Sequence, residues 1–144
     1  MKNFVAVCAV LLAATSFSAY ADAPKYKDGP VSEVQSVKIK SGKFDEYMDY
    51  LAGPYRELMD AQKKAGLITG WAIYQTRART PQEADLYLVT TYPNMAALDN
   101  FDEKVAPIID NVFGSRKKSN EKYAARDTMR EILGSEQIQE LILK

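Results

Sequence analysis

The chain contains no histidine in 144 residues and a single cysteine, Cys8. Without imidazole it cannot build a Ser-His-Asp or Cys-His nucleophile system, a histidine zinc site or a histidine-ligated haem. Neither sign of charge is in excess, with 19 basic and 19 acidic side chains. A surface so balanced lacks the basic field that holds nucleic-acid phosphates or anionic lipid. A glycine-rich phosphate loop is also missing, because Gly42, Gly53, Gly66 and Gly70 stand apart from one another. No apolar run reaches the roughly 20 residues that a membrane span needs. Acid–base chemistry, if the chain performs any, falls to Asp, Glu, Lys or Tyr.

What is present begins with a targeting pattern. Met1-Lys2-Asn3 carries one positive charge, Phe4 to Ala14 is apolar, and Ser18-Ala19-Tyr20-Ala21 offers small residues in alternation. These are the three parts of a secretory signal peptide. Cleavage is expected after Ala21, because a cut after Ala23 would put Pro24 just past the scissile bond, where a fixed φ suits an extended protease substrate poorly. The remaining 123 residues hold 18 basic and 19 acidic groups and no cysteine. No disulfide can then form in the periplasmic or extracellular space to which export would deliver the chain. Residues 22–30 are polar and rich in proline and glycine and read as a flexible tail, leaving residues 31–144 as one domain.

Within that domain, Val31 to Lys40 predicts a first strand, with Val37 and Ile39 alternating with Ser36, Lys38 and Lys40. Ser41-Gly42 turns the chain into a helix over Lys43 to Lys64. Its stripe is Phe44, Tyr47, Met48, Leu51, Tyr55, Leu58 and Met59. Gly53-Pro54 predicts a kink and Gly66 a stop. Leu67 to Arg77 and Asp85 to Tyr92 read as a strand pair joined by a polar connection. Asn94 caps a second helix ending at Gly114, and Ser115 to Leu133 reads as a third helical segment. Gln137 to Leu143 completes the chain as a strand or short helix. The order β-α-β-β-α-(α)-β predicts an α+β, ferredoxin-like antiparallel sheet with helices on one face and strand order 4-1-3-2.

The middle strands are apolar on both sides: Leu86 and Leu88 oppose Tyr87 and Val89, and Trp71 and Ile73 oppose Ala72 and Tyr74. Helices cover one face only, so the other needs a second cover, most simply another copy in a twofold homodimer.

Three segments carry a family resemblance: Lys-Ile-Lys-Ser-Gly-Lys-Phe-Asp-Glu-Tyr (38–47), Ala-Gly-Leu-Ile-Thr-Gly-Trp (65–71) and Leu-Tyr-Leu-Val-Thr-Thr-Tyr-Pro-Asn-Met-Ala-Ala-Leu (86–98). Residues 31–113 resemble the dimeric α+β barrel superfamily. That group includes the antibiotic-biosynthesis-type monooxygenases, the NIPSNAP-like and EthD-like proteins and secreted members of unassigned activity. The resemblance implies fold and dimerisation. Haem-cleaving members use a histidine that this chain lacks, while cofactor-free oxygenases of the group work with pocket Trp, Asn, Tyr or Arg.

The residues themselves suggest a ligand site of Trp71, Tyr74, Tyr87, Arg77 and Lys38, with aromatic walls and a few cationic or hydroxyl groups. No metal and no cofactor are implied, and Asp45, Asp49 and Glu57 read as the wet side of the first helix. The expected function is binding of a hydrophobic or aromatic small molecule between the sheet and its partner. The alternative is a cofactor-independent monooxygenase or isomerase acting on an aromatic or quinol substrate. The third strand lacks the basic and glycine residues of an RNA-recognition motif, so nucleic acid is not an expected partner.

Overall fold

The computed structural model describes residues 23–144; the expected signal segment lies outside them. The elements are β1 (Tyr26–Ile39), α1 (Phe44–Tyr50), a π-helical turn (Leu51–Tyr55), α2 (Arg56–Lys64), β2 (Gly70–Gln75), β3 (Leu86–Tyr92), a 3-10 turn (Met95–Leu98), α3 (Phe101–Phe113), α4 (Arg116–Asp127) and β4 (Arg130–Leu143). The strands form one antiparallel sheet in the order β2-β3-β1-β4. This is the ferredoxin-like α+β arrangement expected from the sequence. No helix among the described residues is long and apolar enough to cross a membrane.

The core is the seam between helices and sheet. Val37, Leu86, Leu88 and Tyr92 pack from the strands against Tyr47, Leu51, Tyr55 and Met59 from the helices. The 47, 51, 55 spacing holds one face through the break at Gly53-Pro54. Pro54 offers no N–H, and its ring pushes the preceding residue out of the helical region. Gly53 accordingly leaves helical geometry (φ −102°, ψ −105°), and the helix kinks there before α2 resumes. Gly66 ends α2 at φ +74°. Its N–H donates to Lys63 C=O at 3.0 Å and Leu67 N–H to Gln62 C=O at 3.1 Å. That double closure needs a left-handed residue, which glycine supplies without a Cβ clash.

Three boundaries differ from expectation. β1 starts at Tyr26, inside the segment read as a tail, because Tyr26, Lys27 and Asp28 pair with Leu143, Ile142 and Leu141. The third helix stops at Asp127, and Arg130 to Leu133 belong to β4. Arg130 and Ile132 pair with Ile39 and Val37, so hydrogen bonds to β1 override the local helical pattern. Gly134 lies within the strand beside a bulge at Leu133, where Ser36 pairs with Gly134 but Val37 pairs with Ile132.

Asp85 fastens β3 to β1. One carboxylate oxygen accepts from Lys38 Nζ at 2.9 Å and the other from the Ile39 amide at 2.8 Å. Its own N–H donates to Val37 C=O at 2.8 Å. Partial burial pushes the Asp85 carboxyl up, but the Ile39 amide and the Lys38 ammonium more than offset this and hold it below its ordinary value. The folded state therefore gains from ionised Asp85 above the unfolded carboxylate pKa of about 4, and loses that gain as pH falls through the lower folded value. Asp85→Asn should cost about 1–2 kcal/mol at neutral pH. Urea unfolding at several pH values should also show a shallower acid limb than wild type.

Candidate functional site

Among the described residues, a cleft of about 210 Å³ opens between the helices and the sheet. Leu58, Met59, Leu88 and Phe101 give it apolar walls, and Tyr55 and Tyr92 add aromatic ones. Phe101 meets Tyr92 edge-on at 5.3 Å between ring centres. Glu33, Gln35 and Thr90 form part of the floor, and Gln62 and Arg126 enter from the helices. Apolar walls with a few converging polar groups are the usual make-up of a small-molecule site. The volume exceeds the roughly 150 Å³ at which an engineered apolar cavity already accepts benzene.

The floor is polar because of strand parity. Val31, Glu33, Gln35 and Val37 share one side of β1, opposite Tyr92, Thr90, Leu88 and Leu86. Val31 and Val37 close the two ends of that row as buried core. Glu33 and Gln35 between them put a carboxylate and an amide where two more aliphatic side chains would have filled the space. Gln62 is buried on α2, its amide donating to the Met59 thioether at 3.7 Å, a weak acceptor.

Tyr92 donates its hydroxyl to Glu33 Oε2 at 3.4 Å, and Ser135 donates to Glu33 Oε1 at 3.0 Å. Burial, with the Glu33 charge beside it, raises the Tyr92 phenol to about 12. Burial and the neighbouring Tyr47 raise Tyr55 to about 12, the Thr90 hydroxyl offsetting only part. Both phenols stay protonated at neutral pH; Tyr55 can offer its O–H to a ligand carbonyl or hydroxyl, while that of Tyr92 is engaged by Glu33.

The five residues singled out from sequence fall outside this cleft's lining, and of them only Tyr74 and Tyr87 are brought side by side. Trp71 faces the helices, donating Nε1–H to Asp60 at 3.0 Å and meeting Tyr55 edge-on at 5.9 Å. It therefore braces one wall from behind. Tyr74 and Tyr87 are register partners on the opposite face of the sheet, 56 % and 38 % exposed. Lys38 is committed to Asp85. Arg77 lies exposed in the connection between β2 and β3, where Arg79 pairs with Glu83. The cleft residues were missed because polar groups at inward strand positions look like solvent-facing ones. The available signal was that Glu33 and Gln35 share the parity of Val31 and Val37, and that Gln62 follows Leu58 and Met59 on the apolar stripe.

No protein-family model matches the chain, and no curated protein matches it in sequence. Solved structures do resemble it. HapK from Hahella chejuensis is 10 % identical with a TM-score of 0.51, over 76 % of this chain and 91 % of that one. A dimeric ferredoxin-like protein from an uncultured marine organism is 9 % identical with a TM-score of 0.48, over 82 % and 90 % of the two chains. Fold and likeness together define a small α+β protein of the ferredoxin-like class, the fold that the resemblance to the dimeric α+β barrel superfamily implied.

Trp71→Ala should lower stability by about 2–4 kcal/mol in denaturant unfolding, since it removes a ring packed against Tyr55 and a hydrogen bond. Arg77→Ala should stay within about 0.5 kcal/mol of wild type.

Proposed function

We propose that this chain is an exported small-molecule-binding protein that works as a twofold homodimer and holds a hydrophobic or aromatic ligand in the cleft between helices and sheet. The observation that carries the reading is the cleft itself: aromatic and aliphatic walls enclosing an amide, a carboxylate and a guanidinium at otherwise core positions. On this reading the ligand lies on the helix side of the sheet, not against the partner as the sequence alone suggested. Export rests on the N-terminal pattern of charge, apolar run and small residues. N-terminal sequencing of protein recovered outside the cytoplasm should begin at Asp22.

The dimer is supported by two surfaces that water covers poorly. Val34, Ala72, Tyr74, Tyr87, Val89 and Ile138 share the face away from the helices. Beyond the end of β3, β1 and β4 continue as a two-stranded ribbon bearing exposed Tyr26, Leu141 and Leu143. An isolated two-stranded ribbon is marginal in water, and an apolar edge invites pairing. A second copy would bury both surfaces. Sedimentation at micromolar concentration should give a dimer for wild type and a monomer for Tyr87→Glu.

A second reading, cofactor-free turnover of a quinol-like substrate, is favoured by one contact. The Glu33 carboxylate sits beside the Tyr92 hydroxyl in the cleft, a candidate proton acceptor next to a hydroxyl donor. It requires oxygen uptake with a reduced quinol that Glu33→Gln abolishes; no uptake rejects it and leaves the binding role intact.

Trp71 is the sole tryptophan and touches the Tyr55 wall, so its emission reports on the cleft. One- and two-ring aromatic compounds should raise the melting temperature and change that emission. Thr90→Phe, which fills the floor, should abolish both effects while leaving the protein folded. An aromatic panel without any response would reject the reading.

A further inference from the structure

Resting on that cleft reading, we propose that the ligand is an organic anion, an aromatic carboxylate seated against Arg126. The residues at the junction of α4 and β4 carry the argument. Arg126 lies in the last turn of α4 and lines the cleft. Its guanidinium is stacked on Tyr123 at 4.0 Å from the ring centre and lies 5.5 Å from that of Tyr50. Its Nε is buried without a hydrogen-bond partner. Arg130, the first residue of β4, is only 4 % exposed. It donates through Nη1 to Tyr47 Oη at 2.9 Å and to the cleft-lining Gln35 at 3.1 Å, while its Nε is also buried and unpartnered.

Neither arginine forms an ion pair with a carboxylate among the described residues; the ion pairs there use Lys38, Lys43, Arg56 and Arg79. The groups around the two cations are phenols and an amide, and Tyr47 and Tyr50 are pushed above their ordinary pKa by burial, so they stay neutral. Glu33 is the one carboxylate lining the cleft, and it is engaged by Ser135 and Tyr92. Arg130 is buried and Arg126 half-buried, and a cation drawn out of water without a carboxylate partner is costly. Burial and the nearby Arg130 charge both disfavour protonated Arg126. An arginine resists deprotonation even so. An anion from outside the chain would supply the partner that both guanidiniums lack. A carboxylate matches a guanidinium edge in geometry as well as charge, and the aromatic walls take the ring behind it. Arg130, held behind Gln35, adds positive potential without touching the ligand.

The probes are 2-naphthoate and its neutral isostere 2-naphthamide, titrated against Trp71 emission and by calorimetry at neutral pH. Naphthoate should bind the wild-type protein roughly ten- to a hundredfold more tightly, the span of a hydrogen bond to a charged group. That advantage should shrink as salt rises. Arg126→Gln should erase the preference while binding the amide as before, and Arg126→Lys should keep part of it. Equal affinities in the wild-type protein would overturn the anion proposal and leave the cleft as a neutral aromatic site. Binding of neither probe would overturn the cleft reading and this proposal together. The wild-type comparison and its salt dependence decide the matter even if the Arg126 variants fold poorly.

Discussion

The helices lie on one face of a four-stranded sheet, and the contact between the two layers depends on a single apolar seam. Tyr47, Leu51, Tyr55 and Met59 descend from the helix layer onto Val37, Leu86, Leu88 and Tyr92. Burying those side chains is the main force that orders the chain, since a single cysteine cannot close a disulfide within it. The seam is continuous at the Val37 and Leu86 end. It becomes incomplete where Glu33, Gln35 and Thr90 replace aliphatic side chains on the floor. The cleft is therefore a built interruption of the core: the same face that stabilises the fold provides the walls of the site.

The helix break serves the same end. A straight helix from Phe44 to Lys64 would rotate its apolar stripe gradually off the sheet. The kink at Gly53-Pro54 keeps Tyr55 buried in line with Tyr47 and Leu51. Tyr55 then forms a wall, Trp71 braces it, and Asp60 holds the indole by its N–H. Packing, hydrogen bonding and site geometry are coupled through these three residues. At the other end, the cations of Arg126 and Arg130 rest on tyrosine rings, an arrangement that tolerates charge without neutralising it.

Much of the architecture was legible in the residue pattern because it follows from short-range physics. The period-two runs around Val37, Trp71 and Leu88, the helical stripe from Phe44 to Met59, and the stop at Gly66 each reflect local backbone geometry. The strand order followed from handedness rules that need no coordinates. Tyr26–Asp28 and Arg130–Leu133 were misread for the converse reason. Their strand state comes from pairing with residues more than 90 positions away, and nothing local to either segment announces it.

The candidate site divides in the same way. From sequence alone came the exclusion of histidine chemistry, the two-sided apolar sheet, and the choice of aromatic and cationic residue types for a site. Composition and periodicity contain those facts outright. Which aromatic and which cation would meet was decided only by the tertiary structure. It joined Tyr55, Tyr92, Glu33 and Arg126 around one space and sent Tyr74, Tyr87, Arg77 and Lys38 elsewhere. Strand parity reveals that two residues share a face, but not which face the helices cover, nor where a distant helix end will set its arginine. Those depend on long-range packing, which no window of sequence contains.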